Sequence, residues 1–391
     1  MKPFNTFVLL FLLLVNFSSY SLSAKEAKIS EQLVSIDTYP FNDPNPLPTL
    51  VSNPEIYPYF KFDGYSHVSE KRNWKVVTLE NEFIKVMILP EVGGKIWAAI
   101  DKTTGHDFIY KNDVLKFRNI AMRGPWTSGG VEFNFGYVGH APTTATPVDY
   151  IVQEHADGSV SCTVGTMDLT SRTQWRVKIV LPKNKTYFET HSSWFNPTTD
   201  NQSYYYWTNA AIRAKDDLAL YFPGNKYLEH NGRENKWPID KLGRDISKYN
   251  QNKFGGSYGG DKSYHVVGAF EDYYGGYYQG KKLGFGHWAR YSDLPGQKIW
   301  LWSQANSGGI WEDFLTDNNG QYIEVQSGRL FNQYSRDKHN NPINKVSFEP
   351  HAYDSWKEAW FPIKSIGGLT AVTTDAALNL TVKDSKLTIS I

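Results

Sequence analysis

Three stretches of the chain hold acid/base, cationic and aromatic side chains at a density that a purely structural strand does not need. The first runs Met122-Arg-Gly-Pro-Trp-Thr-Ser-Gly-Gly-Val-Glu-Phe-Asn-Phe-Gly-Tyr-Val-Gly-His140. Arg123 offers charge, Trp126 a flat apolar surface, Glu132 and His140 acid/base groups, and Asn134 and Tyr137 hydrogen bonds. Glu132 and Asn134 are two apart, so on a strand they face the same side, as neighbouring hydroxyls of a sugar would require. The plain alternative is a solvated loop with a satisfied histidine and glutamate. The second stretch, Tyr204 to Arg213, alternates so that Tyr205, Trp207 and Asn209 share a face and Arg213 closes the run. An aromatic face beside an amide suits a sugar ring, and it equally suits a core. The third contains Gly284-Phe-Gly-His287 and Tyr322-Ile-Glu-Val-Gln-Ser-Gly-Arg329, and ends at Trp356-Lys-Glu358-Ala-Trp-Phe-Pro362. Glu324 and Gln326 project from one face of an apolar strand, where burial raises a carboxyl pKa toward general acid/base use. An ion pair of Glu324 with Arg329 or Arg213 is its structural alternative.

Such residues need strands to position them, and strands are what the sequence predicts. Phe83 to Leu89, Lys95 to Ile100, Trp175 to Leu181, Tyr187 to Trp194, Tyr204 to Ile212, Leu283 to Tyr291 and Lys298 to Ser303 read as strands separated by turn signals. Pro90-Glu-Val-Gly-Gly94 and Asp101-Lys-Thr-Thr-Gly105 read as turns. Helical periodicity is weak, with a short charged helix at Pro238 to Tyr249 as the exception. The polar stretch 223–265 is too long for an ordinary connection and reads as a binding loop or as disorder. The class is all-β: one large antiparallel β sandwich at 71–391, with a last strand near Leu387 to Ile391, preceded by an extended, Pro-rich arm at 24–70.

Composition agrees and excludes several classes. Of 391 residues, 15% are aromatic, with 13 Trp, 25 Tyr and 22 Phe, which favours strands and ligand platforms. The 41 basic and 40 acidic residues give a net charge of +1, so no broad basic surface points to nucleic acid. The single Cys162 forms neither an internal disulfide nor a thiolate zinc site. No metal-ligand spacing stands out, and the Gly255 to Gly260 run lacks the lysine and the strand–loop–helix context of a phosphate loop, so neither metal nor cofactor is expected. Residues 1–23, with Lys2 followed by the apolar run Phe7 to Phe17, read as a secretory signal peptide too short to span a bilayer. The expected location is therefore periplasmic or secreted, without membrane insertion after cleavage.

The Tyr322-Ile-Glu-Val-Gln strand resembles the strand that carries the catalytic glutamate in galactose mutarotases, and Leu89-Pro-Glu-Val-Gly-Gly-Lys-Ile96 resembles that superfamily's early strand pair. The nearer resemblance is to an uncharacterised bacterial mutarotase-like family, often fused to tetratricopeptide repeats. It is carried by Ser128 to Asn134, Gly139 to Thr144, Gly284 to His287, Pro295 to Trp300, Tyr322 to Gly328 and Trp356 to Pro362, from about Trp74 to the C-terminus. The resemblance implies a β-supersandwich with a saccharide site on a concave face and Glu324 as the acid/base carboxylate. It departs from the mutarotase pattern where Trp207-Thr-Asn209 replaces a strand that brings a histidine, and the helical repeats are absent.

A fold of this kind hosts several chemistries. Elimination at a uronic acid needs a base beside the carboxylate and a cation on it. Glu324, His140, Tyr137 or His287 could be the base, and Arg123, Arg213 and Arg329 the clamp. Glycoside hydrolysis would pair Glu324 with Glu132 or Glu358. The expectation is an exported lyase or dehydratase for acidic oligosaccharides, with Glu324, His140, Glu132 and His287 catalytic. Arg123, Trp126, Asn134, Tyr137, Trp207, Asn209, Arg213, Gln326, Arg329 and Glu358 would bind substrate. Hydrolase, aldose epimerase and non-catalytic binding module are the alternatives.

Overall fold

The structure is a computed structural model, and it describes residues 26–47, 59–120, 124–136, 139–253, 260–302, 304–333 and 346–391. Two large, almost wholly antiparallel sheets pack face to face. The larger has fourteen strands. From one edge its order begins Glu234–Lys236, Lys226–Leu228, Lys262–Val267, Gly296–Leu301, Tyr322–Gly328, Gln202–Arg213, Val131–Gly136 and Lys95–Asp101. It continues through Ile84–Leu89 and Glu70–Glu80 to Lys28–Tyr39. The eight-stranded sheet centres on Phe188–Phe195, Tyr353–Lys364 and Leu283–Trp288. This is a mutarotase-like β sandwich. No helix among the described residues is long and apolar enough to cross a membrane.

Alternation sorts each strand of the large sheet between two environments. Ile323 and Val325 are fully buried toward the opposite sheet, as are Tyr206, Ala210 and Ile212, and Val131, Phe133 and Phe135. Their neighbours Tyr322, Glu324 and Gln326 therefore occupy the outer face. The core between the sheets is largely aromatic: Phe135 stacks on Trp175 with centroids 4.9 Å apart, and Trp194 and Trp360 are wholly buried. At roughly 25 cal/mol per Å² and about 200 Å² per ring system, each such residue contributes about 5 kcal/mol of gross burial.

Most predicted strands form within a residue or two of their expected limits, as with Gln174–Leu181 and Phe188–Phe195. The stretch read as an arm contributes the Lys28–Tyr39 strand, paired antiparallel with Glu70–Glu80. Two expectations need correction. Pro238 to Tyr249 is not helical: Ile239 bridges Asp245, and the Asp240 carboxylate takes the Leu242 and Arg244 backbone N–H groups at 2.9 Å. An aspartate that satisfies a turn locally competes with a helix for the same donors. The one long helix among the described residues, Asn306–Thr316, was not foreseen. It contains Gly308-Gly309 and lacks a capping side chain, and its Trp311 and Phe314 pack beside Trp302 and Tyr322. Tertiary packing overrides its poor propensity. The stretch 223–265 holds the edge hairpin Lys226–Leu228 and Glu234–Lys236 and much of the Lys262–Val267 strand. Leu387 and Ile389 belong to a separate three-stranded sheet at the end of the chain.

Candidate functional site

The polar side chains of the large sheet's outer face meet across five neighbouring strands. Asn209 stands opposite Glu132 on one side and Gln326 on the other. Glu324 stands between Ala211 and Trp300, Lys298 is opposite Gln326, and His265 is opposite Lys298. Gly130 allows the strands to close: its φ is +70°, and a Cβ there would lie 2.2 Å from the Ile96 carbonyl oxygen. Only glycine meets both conditions.

Glu132 is fixed from every side. Trp126 Nε1 donates to Oε2 at 2.6 Å, and Asn209 and Asn134 donate to Oε1 at 3.0 and 3.3 Å. His140 Nδ1 lies 2.6 Å from Oε1. Burial pushes the Glu132 carboxyl up, but the charge and hydrogen bond of His140 outweigh it and hold the group below the usual carboxylate range. Burial likewise pushes His140 down, and Glu132, helped by Glu324, reverses that and raises it. The two form a buried ion pair. Asn134 Oδ1 accepts from the Ala141 N–H at 2.7 Å, tying down the loop that carries His140. The imidazole lies 5.0 Å from the Trp207 ring and 5.1 Å from the Trp126 ring.

Glu324 is different. Gln326 Nε2 donates to its Oε2 at 3.0 Å, and among the described residues no cage like that of Glu132 surrounds it. Burial raises its carboxyl; His140 and Lys298 oppose that, the nearby Glu132 charge reinforces it, and the net direction is up. Two lysines share the neighbourhood. Lys298, 4% exposed, is pushed down by burial to about 7, with Glu324 opposing. Its ammonium hydrogen-bonds Gln333 Oε1 and lies 5.7 Å from the Trp207 ring centroid. Lys95 is pushed down by burial to about 8 and donates to Thr127 O and Oγ1 at 2.7 and 2.9 Å. Asn209 Oδ1 and Gln326 Oε1 are buried on this face with no hydrogen-bond partner among the described residues. A carboxyl raised and an amine lowered on adjacent strands are groups chemically suited to give and take protons.

Other predicted site residues lie elsewhere. His287 and Glu358 do not reach this face. They belong to the smaller sheet and meet inside the sandwich, with His287 Nε2 3.0 Å from Glu358 Oε2. Thr208 donates to Glu358 at 2.6 Å, and Ser327, on the inward side of the Glu324 strand, lies 3.2 Å from His287. His140 and His287 are thus on opposite sides of the large sheet. The spacing argument located these residues on strands but could not say which way each strand faced. Arg329 is engaged by Asp354 at 2.9 and 3.0 Å and stacks on Trp356. Arg213 lies over the Tyr110 ring and donates to the Asn319 carbonyl at 2.8 Å. Arg123 and Tyr137 lie outside the described residues.

A family described as a domain of unknown function, DUF5107, matches residues 52–363. The chain belongs to this family. Among solved structures, a TPR-domain containing protein from Parabacteroides distasonis is similar, at 23% identity and a TM-score of 0.74. That match covers 87% of this chain and 56% of the other, so this chain spans little more than half of that protein's length. A galactose mutarotase-like protein from Clostridium acetobutylicum is 10% identical with a TM-score of 0.55, covering 74% of this chain and 96% of its own. One from Lactobacillus casei is 12% identical with a TM-score of 0.50, over 73% and 99%. At these identities the likeness is one of fold.

In this DUF5107 chain, Asn209, on the strand where the mutarotase pattern has a histidine, serves as a donor to Glu132, and His140 enters from the loop after Val131–Gly136. Lys95 and Lys298 were missed by sequence reasoning. The available signal was a lysine at an alternating position inside each of two otherwise apolar strands, Lys-Ile-Trp-Ala-Ala-Ile and Gln-Lys-Ile-Trp-Leu. The search for cations went to arginines in motifs, whereas the fold brings lysines to the carboxylates.

Proposed function

We propose that this chain is an exported carbohydrate-active enzyme that uses Glu324 and Lys298 for proton transfer on a saccharide bearing a carboxylate. The observation that carries this reading is the placement of the two groups on adjacent strands of one buried polar face, the carboxyl pushed up and the amine pushed down to about 7. Lys298 is then available in both protonation states near neutral pH, and the raised Glu324 carboxyl keeps its proton more readily than an ordinary one. Glu132 and His140 neutralise each other, and Lys95, whose hydrogen bonds among the described residues go to Thr127, adds a cation. An acidic sugar fits that balance.

In the proposed elimination, the base removes the proton from the carbon next to the sugar carboxylate. That electron pair forms a carbon–carbon double bond, the carbon–oxygen bond one carbon further on breaks, and the acid protonates the departing oxygen. Lys298 is the base and Glu324 the acid. Lys95 offsets the charge that builds on the carboxylate in the transition state. A hydrolase reading is weaker, because four donors already occupy the Glu132 oxygens, leaving little of that carboxylate to attack a sugar or activate water. A leader-like segment at residues 1–23 supports export.

Purified protein incubated with uronate oligosaccharides is expected to develop the ultraviolet absorbance of an unsaturated uronate. Hydrolysis products without that absorbance would overturn the elimination. One second reading has an observation of its own: His140 faces Glu324 electrostatically on a mutarotase-like fold, the pair that anomer interconversion needs. Accelerated optical-rotation decay of a fresh neutral aldose would favour it.

A further inference from the structure

The outer face of the large sheet does not stop at Lys298. His265, opposite Lys298 on the next strand, accepts the Gln333 backbone N–H at its Nε2 (3.2 Å) and bonds the Leu228 carbonyl through Nδ1 (2.9 Å). Its ring lies 5.3 Å from that of His230, which is 3.3 Å from the Ser263 hydroxyl. His230 and Ser263 in turn line a cavity of about 830 Å³ between the edge hairpin and the Lys262–Val267 strand. The Glu324 strand and the Lys262–Val267 strand are two places apart in the sheet, roughly 10 Å at ordinary strand spacing. A continuous polar row thus leads from Glu324 through Gln326, Lys298 and His265 to the cavity.

The cavity's walls are polar, combining two ion pairs with the lysines Lys236, Lys241 and Lys262. Arg233 meets Glu229 at 2.6 Å, and Arg244 meets Asp240 at 2.6 Å. Hydroxyls, amides and these lysines together suit hydroxyl-rich sugar units that carry carboxylates. The volume is within the usual range for a small-molecule site and exceeds what one sugar ring needs.

We propose that this cavity is an extended subsite, binding further units of an oligosaccharide whose reacting unit lies over Glu324 and Lys298. The proposal rests on the acid/base reading above and deepens it, by making the substrate an oligomer rather than a single sugar. The test uses full-length Glu324→Gln protein, which holds substrate without turning it over, and uronate oligosaccharides from the dimer to the hexamer in calorimetric titrations. Affinity is expected to rise about tenfold beyond the dimer and then level off. Ser263→Trp, which adds bulk to the cavity wall, is expected to bring the affinities of long and short chains together. A series that binds equally at all lengths would overturn the subsite and leave the acid/base reading intact. Failure of every length to bind would overturn both.

Discussion

Two histidine–glutamate pairs among the described residues of the sandwich behave in opposite ways. His140 and Glu132 lie 2.6 Å apart on the outer face of the large sheet, and His287 and Glu358 lie 3.0 Å apart between the sheets. Burial opposes the charged form of both histidines. At His140 the Glu132 charge and hydrogen bond, with Glu324 beyond, win and raise it; at His287 burial wins and lowers it. The inner pair is enclosed by neutral partners: Thr208 and Tyr206 reach Glu358, and Tyr274 stacks on the imidazole at 4.3 Å. The outer pair has Glu324 and two lysines around it. A histidine beside a glutamate is therefore not by itself a site. The charges beyond the pair, and the face the strand presents, decide.

The comparison breaks most readily through turnover. Glu324→Gln is expected to lower kcat by about 10³-fold with an unchanged melting curve, and residual activity near the parent's would remove Glu324 from the chemistry. The inner pair should respond in the opposite sense. Glu358→Ala strands the Thr208 hydroxyl and His287 in the core and should cost about 2–4 kcal/mol in denaturant unfolding, with activity per folded molecule little changed. A large kcat loss without destabilisation would restore Glu358 to the site.

Lys298→Met sharpens the same contrast. Removing a buried, desolvated amine should raise Tm by a few degrees while activity falls at least tenfold, a trade expected of a functional charge. In the parent, the folded state binds fewer protons at Lys298 than the unfolded state between about pH 7 and the ordinary lysine value. Its contribution to stability therefore increases with pH across that window. A melting temperature lowered by Lys298→Met would contradict the assignment.

The smallest effect is spectroscopic. In an NMR titration His140 should titrate above the usual histidine value and His287 below it. Following the signs, the His140 contribution to stability is complete below the unfolded-state pKa and disappears as pH rises through its raised value. The partner Glu132, held low, contributes above the unfolded carboxyl value and ceases as pH falls through its own. His287, neutral in the fold, instead destabilises the protein as pH drops below the unfolded histidine value. Identical titration of both imidazoles would erase the distinction.

Much of the site could be read from particular residues. Alternation placed Glu324 with Gln326 and Glu132 with Asn134 on shared faces. What could not be read was which face each motif shares with which other. Ser327, one residue after Gln326, bonds the inner His287 rather than the outer site, because successive strand residues point to opposite sides. Arg329 was legible as a cation but not as the partner of Asp354, which arrives from the other sheet.

By itself the sequence determined the strands, their alternation and the residues capable of acid/base work, since these depend on neighbours two positions apart. The tertiary structure alone decided that Glu132, Glu324, Lys95 and Lys298 gather on one face while His287 and Glu358 close the interior. The reason is that strand order in a sheet, and the desolvation that moves each pKa, arise from contacts between segments far apart in the chain.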